Sequence, residues 1–362
     1  MHIAFYGSSL LSSYWNGAAT YYRGLLGALA RLGHGITFYE PDAFDRQSHR
    51  DIEPPDWAQV TVYPATIPGV QAVLDEAPRA DIVIKASGVG VFDDELLAGV
   101  LQHARPGAVR AFMDVDAPAT LAAIRADAAH PMRRALPDLD LVLTYGGGPP
   151  VVDAYLALGA RQCVPIYNAL DPATHHPAAP MPQYKADLAF LANRLPDREV
   201  RVDAFFLDAA ARCPGRSFLL GGNGWHDKAM PGNVRAVGHV GTAEHNAFNC
   251  SALAVLNVAR DSMAAVGFSP ATRVFEAAGA GACLVTDAWD GIELFLQPGA
   301  EVLVARDGAE VVEHLKALTP ARARAIGDAA RARVLAQHTY QQRAVILDRL
   351  LRDTLARKRR VV

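Results

Sequence analysis

Four residues in the second half of the chain, Arg194, Arg198, Arg273 and Glu276, have the types and spacing for holding an anionic, hydroxylated ligand. Arg194 and Arg198 are four apart, where an apolar run ends and a helical segment begins (Ala192-Asn193-Arg194-Leu195-Pro196-Asp197-Arg198-Glu199). Guanidinium forks match phosphate oxygens, so this pair suits a diphosphate. Pairing of Arg198 with Asp197 or Glu199 on a solvated face is the structural alternative. Arg273 and Glu276 are three apart, on one helix face. Such a pair is either a surface ion pair or an arginine at a diphosphate with a carboxylate that accepts both hydroxyls of a ribose. Ser269 or Thr272 can cap that helix, and Pro270 or Ala271 can begin it. Asn223 lies in the turn Gly221-Gly222-Asn223-Gly224-Trp225, after another apolar run.

The first half offers acid–base chemistry. Asp114 and Asp116 follow the run Val109–Met113, and ligands gather outside the carboxyl ends of parallel strands. Two apart in extended chain, they share a side. Asp114 is the expected general base, and Asp116 either assists it or caps the helix that begins at Ala117-Pro118. Glu40 and Asp42 stand at another strand end. After the first run, Gly7-Ser8-Ser9 and Trp15-Asn16-Gly17-Ala18 form a small-residue loop opening a helix. Backbone N–H groups there can approach an anion, although an ordinary loop explains the same residues. No GxGxxG dinucleotide fingerprint occurs. Gly279-Ala280-Gly281 precedes a strand and reads as a helix C-cap. His175 and His176 have no partner at useful spacing, and Cys163, Cys213, Cys250 and Cys283 are widely spaced, so no metal site is expected and the cysteines read as buried thiols.

These residues need strands and helices to position them. Seven short apolar runs (2–6, 36–40, 60–63, 81–86, 109–113, 141–145, 163–167) and then six more (187–191, 217–220, 234–237, 252–258, 282–286, 301–304) alternate with helix-period segments. That pattern predicts an α/β fold with parallel sheets buried on both faces. It breaks once, at Asn168–Tyr184, where four prolines without periodicity read as a linker. The expected domains are 1–170, 171–339, and a C-terminal helix with a basic tail, 340–362. Thr319 and Pro320 fit the cap and first position of a helix.

Composition narrows the function classes. The chain has 362 residues, 51% apolar and 20% charged, with a net charge of -3. A near-neutral surface gives no electrostatic footprint for nucleic acid. Neither a signal peptide nor a run of ~18 apolar residues is seen, so a cytoplasmic location is expected. The end, Arg357-Lys358-Arg359-Arg360 and two valines, reads as a solvated tail or as a weak contact to an anionic membrane surface.

The run SPATRVFEAAGAGACLVTD, with DGIELFLQPGAEVLVARD after it, resembles the donor-binding half of group 1 glycosyltransferases, in the branch related to spore maturation proteins. FLANRLPDRE, FLLGGNGW and VRAVGHVGTAEHNAFNCSALAVLNVAR are similar to further segments of that half, and HTYQQRAVILDRLL to a C-terminal helix crossing back to the first domain. The likeness is good over roughly 185–350 and looser before, through the Gly17 loop. It implies a GT-B fold, two Rossmann-like domains facing across a cleft. It implies transfer of a sugar from a nucleoside-diphosphate donor to an unidentified acceptor hydroxyl, in bacterial glycoconjugate biosynthesis. The nucleotide sugar is then substrate, with no separate cofactor and no metal. Arg194 and Arg198 fall on the diphosphate contacts, Glu276 on the ribose glutamate, and His239-Val240 on the loop bordering the base. Phe268 stands where many relatives carry a second glutamate, which leaves the hold on the donor sugar open. An epimerase or phosphorylase of this architecture, a non-catalytic nucleotide-sugar-binding protein, and a nicotinamide oxidoreductase are the other readings.

Overall fold

A computed structural model describes residues 1–14 and 16–360. Trp15 of the first loop and the two terminal valines lie outside the described residues. The chain divides into two compact units, 1–167 with 340–362, and 168–339.

The first unit holds a seven-stranded parallel sheet: β1 (His2–Tyr6), β2 (Gly35–Asp42), β3 (Gln59–Pro64), β4 (Ile82–Ala86), β5 (Val109–Asp114), β6 (Leu141–Thr144) and β7 (Cys163–Pro165). Their order is β3-β2-β1-β4-β5-β6-β7. The second holds β8 (Ala186–Leu191), β9 (Phe218–Gly221), β10 (Val234–Gly238), β11 (Ala252–Asn257), β12 (Leu284–Asp287) and β13 (Leu303–Ala305), in the order β10-β9-β8-β11-β12-β13. Every strand pair is parallel. Helices covering both faces explain why the central strands read as unbroken apolar runs, such as the fully buried Ile82–Ala86. Each order reverses once, between β1 and β4 and between β8 and β11. Those switch points open a crevice at the strands' carboxyl ends, the usual ligand position in this architecture.

In the second unit Phe190, Phe206 and Phe218 pack with Leu188, Leu256 and Val285 into one core. Residues 168–181 contain no helix or strand longer than a single bridge, yet they are tied down. Asn168 Nδ2 donates to Pro270 O (3.1 Å), Leu170 N donates to His338 O (2.8 Å), and His175 is buried.

The last helix, Tyr340–Arg359, belongs to the first unit and packs on the helix Ala18–Arg31. Gly24 permits the approach: a Cβ there would sit 2.2 Å from the Tyr340 ring. The basic end is not a frayed tail. It stays helical to Arg359, where Lys358 pairs with Asp140 and Arg359 with Asp81 at 2.8 Å. Those two cations are thereby engaged by carboxylates at the amino ends of β6 and β4. The preceding helix, Pro320–Gln337, is capped by Thr319, whose hydroxyl accepts from Arg322 N (3.2 Å). Among the described residues no helix is long and apolar enough to cross a membrane.

Candidate functional site

The β8/β11 switch point of the second unit gathers most of the residues singled out above. After β8 the chain turns into the helix Pro196–Val202, which carries Arg198. Its guanidinium lies over the Phe190 ring (5.9 Å), and one Nη donates to Asn193 O (2.6 Å). Its Nε is covered and has no partner. Among the described residues no carboxylate hydrogen-bonds it. Burial, and then the like charges of Arg273 and Arg260, push its pKa down to about 10. A half-buried cation crowded by two others is an arrangement that an anion relieves. Arg260 follows β11. Its Nε donates to Asp197 Oδ2 (2.9 Å), and the same carboxylate accepts from Ser262 Oγ (2.7 Å).

Arg273 is the second residue of the helix Thr272–Gly279. Its guanidinium lies 3.8 Å from Glu276 Oε2, beyond hydrogen-bond reach, so that carboxylate leaves its donors unengaged. Burial lowers its pKa, and Glu276 opposes that. The helix starts at Thr272 with Ala271 as a cap that has no side-chain hydrogen bond. Ser269, read as a possible cap, instead donates to Gly267 O (2.9 Å). The N–H groups of Thr272 and Arg273 therefore have no capping side chain, as at anion-binding helix starts, while Val274 N donates to Ala271 O (3.0 Å). Glu276 is buried. Burial raises its pKa, but His175, Arg273 and His245, with the Thr272 hydroxyl, hold it below the ordinary carboxylate value.

Arg194 departs from expectation. Its Nε and Nη2 bind both oxygens of Glu199 (2.8 and 2.7 Å), and its Nη1 binds Asp227 (2.7 Å) and Gly224 O (3.3 Å). Two carboxylates neutralise it, so it clamps the Gly221–Trp225 turn to the β8 loop and is not poised for a diphosphate. Asn223 sits in that turn; its N donates to Asn193 Oδ1 (2.9 Å) and its carbonyl accepts from Arg194 N (2.9 Å). Gly222 has φ +118, and a Cβ there would lie 2.1 Å from Ala192 O, so the turn depends on glycine. His239 is exposed just after β10, whereas Val240 is buried and its carbonyl faces His245 Nε2 (3.3 Å). Phe268 lies in the left-handed region (φ 50), beside Gly267 (φ 73).

In the first unit Gly17 is the exposed cap of the helix Ala18–Arg31, with open space where a Cβ would lie. The loop before it is held by buried Glu40, which accepts from Ser9 Oγ (3.0 Å), Leu10 N (2.6 Å) and Gln47 Nε2 (2.7 Å). Glu40 is thus a loop anchor, and Asp42 is exposed. Asp114 is fully buried at the end of β5. It accepts from Ser87 Oγ (2.9 Å), Thr120 Oγ1 (3.0 Å), Asp116 N (3.0 Å) and Tyr155 OH. Burial pushes its pKa up. With both oxygens engaged and no exposure, it cannot reach an acceptor proton. The geometry corrects the general-base assignment and makes Asp114 the anchor of the β5 loop. Asp116 is half-buried at the start of the helix Ala117–Ala126, and its side chain makes no capping hydrogen bond.

The tertiary structure adds residues that spacing did not reveal. Arg260 had the same signal as Arg198, a cation after an apolar run. Asp287, buried at the end of β12, accepts from Ala259 N (3.0 Å) and pairs with Arg201 (2.5 Å), fixing the β11 loop. His175 meets His245 and Glu276, which are distant in sequence, so the expectation that it lacks partners is overturned.

Residues 198–349 match the family model described as glycosyl transferase-like. No curated protein is a significant sequence match. The solved structures include sucrose-phosphate synthase from Thermosynechococcus elongatus, 15% identical, covering 98% of this chain and 99% of that one with a TM-score of 0.70. HepE of Anabaena with UDP and glucose is 15% identical, covering 98% and 100%, with a TM-score of 0.68. An alpha-glucosyltransferase in complex with UDP and a 13-mer DNA is 11% identical, covering 98% and 99%, with a TM-score of 0.69. The fold is thus that of the GT-B glycosyltransferases.

Proposed function

We propose that the protein transfers a sugar, of hexose type, from a nucleoside-diphosphate donor bound in the second unit to an acceptor hydroxyl presented to the first. The observation that carries this reading is the group Arg198, Arg260 and Arg273 at the β8/β11 switch point, with Arg198 lacking any hydrogen-bonded carboxylate. The diphosphate is held by Arg198, Arg273 and the uncapped helix start at Thr272, and Glu276 accepts the ribose hydroxyls. Asn223, His239 and Val240 border the nucleotide, and Gly17, at a helix start of the first unit, is the remaining proposed donor contact. Guanidinium groups and helix N–H donors stabilise the departing diphosphate, and in this reading no metal is needed for that step. The HepE complexes with UDP and glucose and with UDP-glucose support a uridine nucleotide as the first donor to test.

Asp116 is the carboxylate proposed to assist the acceptor hydroxyl, with Asp114 positioning its backbone. A second reading, a non-catalytic nucleotide-sugar-binding protein, is favoured by the burial of Asp114. Thermal shift with UDP, GDP, dTDP and NAD tests the ligand class, since a ligand that binds only the native state raises the melting temperature. Release of free nucleoside diphosphate from the stabilising donor supports the transferase. Binding without any turnover supports the passive binder, and no shift with any nucleotide removes both.

A further inference from the structure

His175, His245 and Glu276 come from three separate places: the linker after β7, the start of the helix His245–Ser251, and the helix Thr272–Gly279. Their potential ligand atoms all lie within 4.8 Å of one another. The hydrogen bonds around the imidazoles select one tautomer of each neutral ring. Thr174 Oγ1 donates to Asp171 O (3.2 Å) and so accepts from His175 Nδ1–H (3.0 Å). In the neutral ring that leaves His175 Nε2 as the lone pair, covered, without a partner among the described residues, and 4.0 Å from Glu276 Oε1. His245 shows the mirror pattern. Its Nε2 faces the Val240 carbonyl (3.3 Å), which can only accept, so Nε2 bears the hydrogen and the covered Nδ1 is a bare, unpartnered lone pair. Burial keeps this imidazole neutral, lowering its pKa to about 4.

Two buried imidazole lone pairs beside a carboxylate oxygen form a set of acceptors with no donor among them. Each imidazole donates its other N–H to an oxygen, as the imidazoles of metal sites do. We propose that His175 Nε2, His245 Nδ1 and Glu276 Oε1 form a binding site for a divalent transition metal of the zinc class. Two nitrogens and one oxygen suit that ion. At metal–ligand lengths of ~2.0–2.1 Å, tetrahedral ligands stand roughly 3.4 Å apart, so side-chain shifts of about 1 Å close the site. Three protein ligands leave a fourth position for water or an exchangeable group. Glu276 is also the proposed ribose acceptor, so metal and nucleotide compete for it; that corollary alone rests on the function proposed above.

The test uses the full chain, stripped with chelator, free of nucleotide and titrated with Co2+. One equivalent binds with the strong visible absorption of a tetrahedral ion, and Zn2+ displaces it. His175→Gln and His245→Gln each weaken that binding by more than about tenfold, with far-UV circular dichroism confirming the fold. His49→Gln, at the surface, leaves it unchanged. X-ray absorption of the Zn2+-loaded wild type, which needs no variant, shows two imidazole ligands. Only weak, octahedral Co2+ binding, equal titration of both histidine variants, or fewer than two imidazoles around zinc overturns the site. So does a protonated His175 detected by NMR in a protein that takes up no metal.

Discussion

At the scale of single residues, the donor reading depends on one uncompensated guanidinium. Each hydrogen bond between a charged group and a phosphate contributes about 1.5–3 kcal/mol. Arg198→Gln is therefore expected to weaken nucleoside-diphosphate binding roughly 10- to 100-fold by calorimetry, with little change in melting temperature. Arg194→Gln should do the reverse, because its partners are Glu199 and Asp227. Unchanged affinity in Arg198→Gln would remove it from the anion site. Asp114 and Asp116 divide similarly. Asp114→Ala leaves four donors without their buried acceptor and should cost about 3 kcal/mol or more of stability. Asp116→Asn should lower turnover while leaving nucleotide affinity intact, and equal turnover would exclude it as the assisting carboxylate.

At the scale of elements, the loops after β8 and β9 act as a unit. Gly222 lets the turn touch the Ala192 carbonyl, and Arg194 clamps the two together. Gly222→Ala forces the loops apart and should cost both stability and nucleotide affinity, read in one thermal-shift series with and without ligand. The clamp is also pH-sensitive. Hydrogen bonds from Arg194, then Lys228, hold Glu199 at about 2, against an ordinary 4.5. Its folded pKa is depressed, so its contribution is complete above about 4.5 and disappears as pH falls toward 2. A melting-temperature profile over that window should be flatter in Glu199→Gln than in wild type, and parallel profiles would refute the clamp.

At the scale of the whole molecule, the chain's last helix completes the unit that its first strand began. Tyr340, Ala344, Leu347, Leu351 and Leu355 are buried on it. Leu347→Ala should cost about 2–5 kcal/mol and should unfold the first unit at lower denaturant. A probe in the second unit, such as Trp225, should report a transition moved less. Coincident shifts at both probes would show the units unfolding as one. The charged end adds anchoring through Asp81 and Asp140, so high salt should reduce the stability of the first unit slightly.

The order of elements was legible from sequence because burial on both faces leaves a local mark. All thirteen apolar runs are strands, shifted at their ends by a residue or two, and the helix Pro320–Gln337 was visible from its length and its Thr319 cap. That Arg273 and Glu276 share a helix face was legible for the same reason, since residues three apart on a helix lie on one side. What a side chain meets across the fold leaves no such mark. Only the tertiary structure decided that Arg194 is engaged by Asp227, that Asp114 is sealed among Ser87, Thr120 and Tyr155, and that His175 meets His245 and Glu276. Periodicity records whether a position is covered; the partner that covers it is set by which strands become neighbours, and that depends on the whole chain.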